Sequence, residues 1–369
     1  MKHIYTQKIY QPKFPFTDSV FTEHTLFLDI ETTGFSRSDS MLYLIGCMHR
    51  KGNTLIIEQF FAESKSDEVE LLLSFQKLLS TKQTLISFHG LGFDIPFLHA
   101  KYNEKIYHGI CTDTFLNNYP HLDIFKEARQ LNAFLRLPDY KQKTIESFLG
   151  ISREDRFTGG ELIPIYEAYQ KTHDTQFEHL LLLHNFEDML GMLDLLPILT
   201  YKEILNGAFD FENAQIYEYC SYEGKIQKEY IITLKNHFCI PKQISCQYAE
   251  YYITMYKETT KIRIPILSEE LRFFFPNYKD YFYLPKEDMA IHKSVATFVD
   301  KEYRQKAKAC NCYTRKTSVF LPQYDTIVTP VFRREYKDKC CYFELNEDFC
   351  NSVEAQLHYT KHILSLFSK

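Results

Sequence analysis

The feature that most constrains the fold is a series of three apolar, strand-like runs separated by short polar segments. These runs occupy residues 26–30, 41–48 and 54–61. The sequence Lys51-Gly52-Asn53 between the last two runs is typical of a tight turn, so we expect a meander of antiparallel strands. Helical apolar spacing over 67–79 and a short apolar strand over 84–88 follow. This order predicts an α/β fold with a mixed sheet.

The composition of the chain changes near residue 205. Residues 1–25 are polar and contain prolines, so we predict an irregular N-terminal extension there. Residues 26–205 alternate strand and helix patterns and form the predicted α/β domain. Residues 206–369 are rich in Tyr, Ile and Thr and predict a second, α+β unit. Within that unit we expect helices over 287–310 and 353–367.

Charge is distributed unevenly over the chain. Hydrophobic residues make up 45% and charged residues 25%, which excludes a mainly disordered, collagen-like or small disulfide-stabilised protein. Residues 1–205 carry 20 Lys and Arg against 27 Asp and Glu, whereas residues 206–369 carry 23 against 21. The acidic first part suits a cation-binding carboxylate site, and the second part is better suited to phosphate.

Long apolar runs are not found in the sequence. No run approaches the roughly 18 apolar residues that a membrane span needs, so we expect a cytoplasmic protein with no signal peptide and no membrane contact. The ten cysteines are then expected to be reduced thiols. Two close cysteine pairs lack the usual spacing of zinc ligands, and buried free thiols are predicted for them. These pairs are Cys310 with Cys312, and Cys340 with Cys341.

The strongest chemical signal is the sequence DIETTG at residues 29–34, at the end of an apolar strand. Residues i and i+2 of a strand face the same side, so Asp29 and Glu31 are predicted to point together. Two adjacent carboxylates repel each other unless a cation lies between them, and hard oxygen ligands favour Mg²⁺ or Mn²⁺. The alternative is a strand end with two solvated acids. The next residues form a tight turn at which backbone can approach a substrate closely, and they are Thr32, Thr33 and Gly34.

Two further acids occur in settings that suit a site. Asp94 follows an apolar strand and the glycine-rich sequence HGLGF, at the predicted start of a helix. A capping role is the alternative for Asp94. His184 and Asp188 are four residues apart in a long helix predicted over 176–205, so they share one face of it. The alternative for this pair is a buried core histidine with a surface aspartate.

Together and in this order, the three sites resemble the DEDD (DnaQ-like) superfamily of 3′–5′ exonucleases, and most closely its YprB-like ribonuclease H-like domain proteins. In that superfamily the first motif is DxE on the first strand, the second has an Asp after a turn, and the third has an Asp on a late helix. These positions are occupied here by Asp29, Glu31, Asp94 and Asp188. The resemblance covers roughly residues 25–200 and implies a ribonuclease H-like fold for the domain over 26–205.

The resemblance also implies a metal-dependent reaction. Phosphodiester hydrolysis needs negative charge to be stabilised on the phosphate and on the leaving oxygen, which two divalent ions about 4 Å apart can do. Asp29, Glu31 and Asp94 are expected to share two ions, Mg²⁺ or Mn²⁺, and Asp188 is expected to complete the site of the nearer one.

The predicted general base departs from the superfamily pattern. Its members carry either a His five residues or a Tyr four residues before the last Asp. Here these positions hold Leu183 and His184, so the chain has the tyrosine spacing with a histidine. We predict that His184 takes the proton from the attacking water, because imidazole titrates near neutral pH. Asn185 is predicted to contact the metal ligands without binding metal itself.

A basic segment of the second unit is predicted to bind single-stranded nucleic acid. Residues 301–316 contain six Lys and Arg against one acid, interleaved with Tyr303 and Tyr313. The cations attract phosphate and the rings can stack on bases. The alternative is a solvated helix face with buried tyrosines. The cations expected to contact substrate are Arg304, Lys308 and Arg315.

Two weaker candidates lie in the first domain. Asp113 either orders the site or caps a helix, and we favour the cap. A polar loop after residue 150 either contacts phosphate or is simply solvated. The loop residues in question are Arg153, Arg156, Gly159 and Gly160.

These patterns predict a 3′–5′ exonuclease that acts on single-stranded ends of DNA or RNA. One alternative is a nucleic-acid-binding module that keeps the fold and does not hydrolyse its ligand. Another is a nuclease subunit of a repair complex. No feature of the sequence selects DNA over RNA, because none visibly recognises a 2′-hydroxyl.

Overall fold

A computed structural model describes most of the chain. It covers residues 1–106, 113–154 and 157–367, and it describes the backbone alone for 105, 106 and 113–115. Arg156 and the side chain of Asp113 therefore lie outside the described residues, and the predictions for them stay predictions.

The described chain divides into two compact units. The first contains Met1–Glu203 and Phe238–Lys242, and the second contains Ile204–His237 and Gln243–Lys369. The short segment Phe238–Lys242 thus belongs to the first unit, although the sequence pattern places it in the second.

The first unit is built on a six-stranded mixed sheet. Its strands are β1 (Lys2–Ile9), β2 (Thr25–Thr32), β3 (Leu42–Lys51), β4 (Thr54–Phe61), β5 (Thr84–Ser87) and β6 (His121–Asp123). Their spatial order is β1-β4-β3-β2-β5-β6. The predicted meander is present, because β2, β3 and β4 pair antiparallel and Gly52, with a φ of +56°, makes the turn between β3 and β4. In contrast, β5 pairs parallel with β2 and with β6.

The described part of the first unit also contains helices. They are α1 (Pro15–Val20), α2 (Glu68–Leu79), α3 (Asp94–Ile106), α4 (Ile124–Arg129), α5 (Asn132–Leu135), α6 (Gln142–Leu149), α7 (Gly159–Thr172), α8 (Thr175–Leu195) and α9 (Thr200–Leu205). Short 3₁₀ helices cover Lys65–Asp67, Asp113–Asn118 and Leu196–Leu199. The α-helix stops before Pro197, because proline cannot donate the backbone hydrogen bond. None of the described helices is both long and apolar enough to cross a membrane.

The packing of two helices on the sheet sets the position of the site. Successive residues of β2 point to opposite faces, and almost all of them are buried, so both faces of this strand are covered. On one of these faces α8 packs against β2, β3 and β4. The Tyr43 ring of β3 stacks on the Tyr166 ring of α7, with centroids 4.0 Å apart. These contacts hold α7 and α8 against the sheet.

The prediction of an irregular N-terminal extension is wrong for its first part. Residues Lys2–Ile9 form β1, which pairs antiparallel with β4 along its whole length. The apolar signal is weak because β1 lies at the edge of the sheet, where alternate residues are exposed and only one face needs burial. The next residues contain α1, so the segment before β2 belongs to the folded unit.

The second unit contains three antiparallel sheets and a terminal helix. Its strands are β7 (Phe209–Cys220), β8 (Ile226–Asn236), β9 (Ile244–Tyr248), β10 (Tyr251–Tyr256), β11 (Thr259–Pro265), β12 (Leu267–Phe274), β13 (Tyr281–Leu284), β14 (Met289–His292), β15 (Gln305–Lys306), β16 (Tyr313–Gln323) and β17 (Cys341–Glu344). The sheet orders are β7-β8-β11-β10-β9, β12-β16-β17 and β14-β13-β15. Its helices are α10 (Lys293–Ala296), α11 (Glu347–Asn351) and α12 (Val353–Leu366), with 3₁₀ turns at Tyr278–Asp280 and Lys301–Tyr303. The predicted α+β character and the terminal helix are confirmed.

The helix predicted over 287–310 is wrong. This segment contains β14, the short α10 and β15 instead. Both strands pair with β13, for example Tyr281 with His292 and Phe282 with Lys306. A continuous helix would lose this pairing, so the tertiary contacts outweigh the helix propensity of the lysine-rich sequence.

The described cysteines are free thiols. Cys312 and Cys341 are buried as predicted, whereas Cys310 is exposed and Cys340 is partly exposed. Within the described part of the chain, no cysteine belongs to a group of residues placed to hold a metal ion.

Candidate metal centre

The packing of α8 on β2 brings the first and third sequence motifs together. Nε2 of His184 lies 3.5 Å from Oε1 of Glu31 and 3.2 Å from Oδ2 of Asp188. One possible ligand atom from each of these three residues lies within 4.8 Å of the others. Asp29, two residues before Glu31 on β2, is hydrogen-bonded to α8 through Asn185. Residues that are 156 positions apart therefore meet at one point.

Asp94 joins the same site from the neighbouring strand. Because β5 runs parallel to β2, the carboxyl ends of both strands lie at one edge of the sheet, and α3 starts there with Asp94. Oδ1 of Asp94 accepts a hydrogen bond of 3.1 Å from the backbone N–H of Ile30. Ile30 lies between Asp29 and Glu31, so the second motif is bonded directly to the first.

The acids of this cluster disfavour one another's ionisation. Burial, followed by the carboxylates of Glu31, Asp188 and Asp94, holds the pKa of Asp29 well above its usual range. Burial raises the pKa of Asp94 to about 7, although backbone N–H groups, including that of Ile30, oppose the shift. A cation among these carboxylates would relieve the repulsion, and a set of oxygen donors matches the preference of Mg²⁺ and Mn²⁺. The residues present therefore fit a divalent metal ion.

Asn185 fixes the orientation of Asp29. Its Nδ2 donates to Oδ2 of Asp29 at 2.8 Å, and its Oδ1 accepts from Nε2 of Gln59 at 2.9 Å. Gln59 also donates to the carbonyl of Leu182, at 2.9 Å. A Cβ at Gly46 would lie 2.2 Å from Oδ1 of Asn185, so only glycine leaves room for this amide. Sequence reasoning placed Asn185 beside the site but gave no sign of Gln59 or Gly46.

Arg153 contacts Asp188 from the side opposite to His184. Its guanidinium donates to Oδ1 of Asp188 and to Oε1 of Glu146, and its side chain is only 8% exposed. Nε2 of Gln142 donates to the same Glu146 oxygen and to the carbonyl of Asp188, both at 3.1 Å. Gly191 makes this close approach possible, because a Cβ there would lie 2.3 Å from the Glu146 oxygen. Of the two alternatives for this loop, the solvated one is therefore wrong for Arg153, and a phosphate contact stays a prediction.

A pocket of about 270 Å³ opens beside Glu31. The ring of Phe35 is 86% exposed and meets the ring of Phe93 edge-on, with centroids 6.1 Å apart. An exposed ring next to a cluster of acids is suited to stack on a nucleobase. The pocket is lined by Ile30, Glu31, Thr32, Gly34, Phe35, Phe93, Gly159, Gly160 and Ile163.

The turn residues predicted to approach substrate divide into two groups. Thr32 and Gly34 line the pocket, and the Thr32 hydroxyl donates to the carbonyl of Gly34 at 2.8 Å. Oγ1 of Thr33 instead accepts the N–H of Met41 at 2.8 Å and so ties the turn to the start of β3. The two aromatic residues were missed, although Phe35 directly follows the first motif in the sequence and an aromatic residue there was a usable signal.

The cations predicted to form a nucleic-acid track lie in the second unit, on β16 and the segment before it. Arg304 donates to the carbonyl of Ala296. Arg315 donates to Oε1 of Glu270 at 3.2 Å. Lys308 is exposed. These residues do not share a helix face, because no helix forms there, and their role in binding stays a prediction.

Comparison with known families decides the fold of the first unit. Residues 26–200 match the family model of the RNase H superfamily. The match covers just under half of the chain and identifies the fold of this part. The ribonuclease H-like fold predicted for it is therefore confirmed, and the six-stranded sheet with its covering helices is the form it takes.

Solved structures of E. coli exonuclease I match this chain with low sequence identity. One is a zinc-bound complex with single-stranded DNA, and another is a complex with a dA16 oligonucleotide. Each is 11% identical, with a TM-score of 0.30, over 57% of this chain and 54% of the exonuclease chain. The chain thus spans about half the length of these exonucleases. No curated protein matches it.

Proposed function

We propose that the ribonuclease H-like unit is a divalent-metal-dependent exonuclease that removes nucleotides from 3′ ends of single-stranded DNA or RNA. The observation that carries this proposal is the convergence of four acids at one edge of the sheet, around the His184 side chain. These acids are Asp29, Glu31, Asp94 and Asp188.

In this proposal the four carboxylates hold two ions, Mg²⁺ or Mn²⁺. When bound, such ions lower the pKa of coordinated water and offset the negative charge of the phosphate. The buried position of Asn185 keeps Asp29 turned toward the site, and the N–H of Ile30 does the same for Asp94. The chain therefore supplies ligands whose orientation is set before metal or substrate arrives.

His184 is the proposed general base. It is buried beside Glu31 and Asp188, one helical turn before the latter. As a base it accepts a proton at Nε2, the same atom that contacts Asp188. That contact has to open before the proton is taken, so we expect the imidazole to shift when the site is filled.

The pocket beside Glu31 is the proposed site for the terminal nucleobase. Phe35 and Phe93 supply the stacking surface, and the Thr32–Gly34 turn lets backbone approach the sugar. Stacking tolerates every base, which agrees with an exonuclease that acts on any sequence.

The arrangement of His184 also favours a second candidate function, a nucleic-acid-binding module without hydrolysis. Its Nε2 contacts both Glu31 and Asp188, so in the present rotamer the imidazole competes with an ion for these two carboxylates. If this contact never opens, the unit binds strands but does not cut them.

End-labelled single-stranded DNA and RNA decide between the two candidates. Each strand is labelled at its 5′ or its 3′ end and incubated with the full chain and Mn²⁺ or Mg²⁺. We expect a ladder that shortens from the 3′ end and that disappears with EDTA. Binding without cleavage would instead support the non-hydrolysing module.

Matched variants make this assay specific. Asp188→Asn should abolish cleavage, whereas Glu167→Gln, which changes an exposed acid on α7, should leave it intact.

The predicted track in the second unit is tested separately, by measuring strand binding with alanine at Arg304, Lys308 and Arg315. Lost phosphate contacts should lower the slope of log affinity against log salt by about 0.7 each, and an unchanged slope would exclude the track.

A further inference from the structure

The loop before Asp94 presents an exposed histidine in an unusual backbone conformation. His89 has a φ of +64°, which non-glycine residues rarely adopt. Buried Asp123 holds the loop, because its Oδ1 accepts the N–H of His89 at 3.0 Å and its Oδ2 accepts the N–H of Leu91 at 3.1 Å. A Cβ at Gly92 would lie 2.7 Å from the imidazole, so Gly92 leaves space for the ring. These contacts hold the loop and its exposed histidine in this conformation.

The His89 ring forms a ridge with Phe125, the second residue of α4. Their centroids are 4.6 Å apart and the rings are nearly perpendicular. Pockets of about 550 and 510 Å³ lie on the two sides of this His89–Phe125 ridge. Both pockets are lined by His89, Phe125 and Arg129, and the Arg129 guanidinium lies 6.0 Å from the centre of the Phe125 ring.

The larger pocket adjoins residues of the metal centre at two points. Gln142 lines it and donates to the carbonyl of Asp188 at 3.1 Å. His89 lines it as well, and the next residue, Gly90, lies beside Asp94, because a Cβ there would be 3.5 Å from Oδ2 of the aspartate. The pocket is therefore a near neighbour of two of the four acids proposed to hold metal, although none of the four lines it.

The charge around the ridge complements phosphate. Lys126, Arg129 and Lys141 line the two pockets, and none of them forms an ion pair with a described residue. The acids of the lining accept hydrogen bonds: Asp123 accepts backbone N–H groups of the loop, and Asp139 accepts the N–H of Lys141 at 3.1 Å and the hydroxyl of Thr144. Lys126 and Arg129, beside the exposed ring of His89 and the half-buried ring of Phe125, are then the elements of a single-strand binding surface.

We propose that the His89–Phe125 ridge binds the nucleotides of the single strand that adjoin the scissile bond. This proposal rests on the proposed nuclease function for its substrate. His89 and Phe125 contact the bases, and Lys126 and Arg129 contact the phosphates on either side of the ridge. The metal centre and this surface then lie on one unit, and the strand reaches the acids along the loop that carries Asp94.

Strand binding without cleavage tests this surface independently of catalysis. Fluorescence anisotropy with a labelled oligo-dT strand of about twelve nucleotides, in EDTA, compares the full chain with Lys126→Ala/Arg129→Ala. We expect affinity to fall on the order of tenfold and the salt slope to decrease by about 1.4, for two lost phosphate contacts. The matched control is Lys77→Ala/Lys171→Ala, which removes two exposed lysines of the same unit that line neither pocket.

A ring-deletion variant separates stacking from charge. His89→Gly removes the imidazole and tolerates the positive φ, so the fold is retained. We expect roughly fivefold or more weaker binding with an unchanged salt slope, because stacking is not electrostatic. Full affinity in both His89→Gly and Lys126→Ala/Arg129→Ala would overturn the proposal.

Hydrolysis distinguishes failure of this proposal from failure of the nuclease function. If the full chain cuts strands, the double variant should raise KM for the labelled strand, as its weaker binding requires. If the full chain binds but never cuts, loss of binding in the double variant still supports the ridge, and only the nuclease function fails. A full chain that cuts normally with both variants unaffected refutes the ridge alone.

Discussion

The guanidinium of Arg153 donates to one oxygen of Asp188, while His184 lies 3.2 Å from the other. Asp188 is therefore held between a permanent cation and an imidazole. The same guanidinium neutralises Glu146, whose side chain is only 3% exposed. Arg153 thus links Asp188, which is proposed to bind metal, to Glu146, which has no other cationic partner among the described residues.

Replacing Arg153 with alanine should destabilise the protein strongly. The change leaves Glu146 buried and without its charge partner, and breaking such a pair costs about 3 kcal/mol or more. Urea denaturation followed by far-UV circular dichroism measures the free energy of unfolding. Lys171→Ala, at an exposed position of α7, is the control and should change it by less than about 0.5 kcal/mol. A loss below about 1 kcal/mol in Arg153→Ala would show that Glu146 finds another partner.

Gly46→Ala should disturb the metal centre without touching an acid. The added methyl group would lie 2.2 Å from Oδ1 of Asn185, so the amide has to leave Asp29. We expect Mn²⁺ affinity, measured by calorimetry, to fall by roughly tenfold or more, as for other residues that orient ligands. Gly160→Ala is the control, because no atom lies within 4 Å of its new methyl group. Parent-like affinity in Gly46→Ala would mean that Asn185 does not set the position of Asp29.

Asp29→Asn should abolish hydrolysis and stabilise the metal-free protein. The amide removes one charge from a cluster in which Glu31, Asp188 and Asp94 already repel Asp29. Differential scanning fluorimetry should show a higher melting temperature in EDTA and a smaller increase on adding Mn²⁺ than in the parent. Equal Mn²⁺-induced increases in both proteins would exclude Asp29 as a ligand.

His184→Ala should lower the rate of hydrolysis on the order of 10²–10⁴-fold at saturating Mn²⁺, if His184 transfers the proton. His184→Tyr should retain more activity than the alanine variant. His179→Ala, which removes an exposed histidine from the same helix, is the matched control. An alanine variant with full activity would leave His184 as a packed core residue.

His121 predicts a pH dependence of stability outside the metal centre. Its Nε2 lies 2.7 Å from the Ser87 hydroxyl, and burial lowers the pKa of His121 below its ordinary value, although Asp123 opposes the shift. The unfolded chain therefore binds this proton at a higher pH than the folded chain does. Stability from this residue is present above about pH 6.5 and is lost as the pH falls through the folded pKa.

The measurement is urea denaturation between about pH 7 and pH 5. His121→Gln should flatten the decrease in the free energy of unfolding over this interval. His24→Gln, at an exposed histidine, should keep the dependence of the parent. A parent-like decrease in His121→Gln would assign the effect to other groups.

Local periodicity explains which parts of the site were predictable. The two-residue repeat of a strand places Asp29 with Glu31, and the helical repeat places His184 with Asp188. The link between Asp94 and Ile30 spans 64 residues and could be anticipated only through the family resemblance. Such motifs can be recognised in a sequence because their members are close along the chain or stand in a fixed order.

Contacts between side chains that are far apart in the sequence leave no periodic pattern in it. Gln59 and Arg153 reach the site from a strand and a loop whose neighbours give no sign of it. The edge strand β1 was missed because only one of its faces needs apolar residues. In the second unit the pairing of Phe282 with Lys306 overrides a lysine-rich sequence that suits a helix.

The hydrogen bond between Asn185 and Asp29 also has a consequence for biosynthesis. Its partners lie 156 residues apart, and α8 supplies three of the residues around the acids. During translation β2 emerges long before α8, so the nascent chain carries an incomplete set of ligands until the helix has been made and has docked. We therefore expect the ability to bind metal to arise late and in one step, when α8 packs onto the sheet. A ribosome-bound chain that ends before Thr175 would contain Asp29, Glu31 and Asp94 but neither Asp188 nor the amide of Asn185 that orients Asp29.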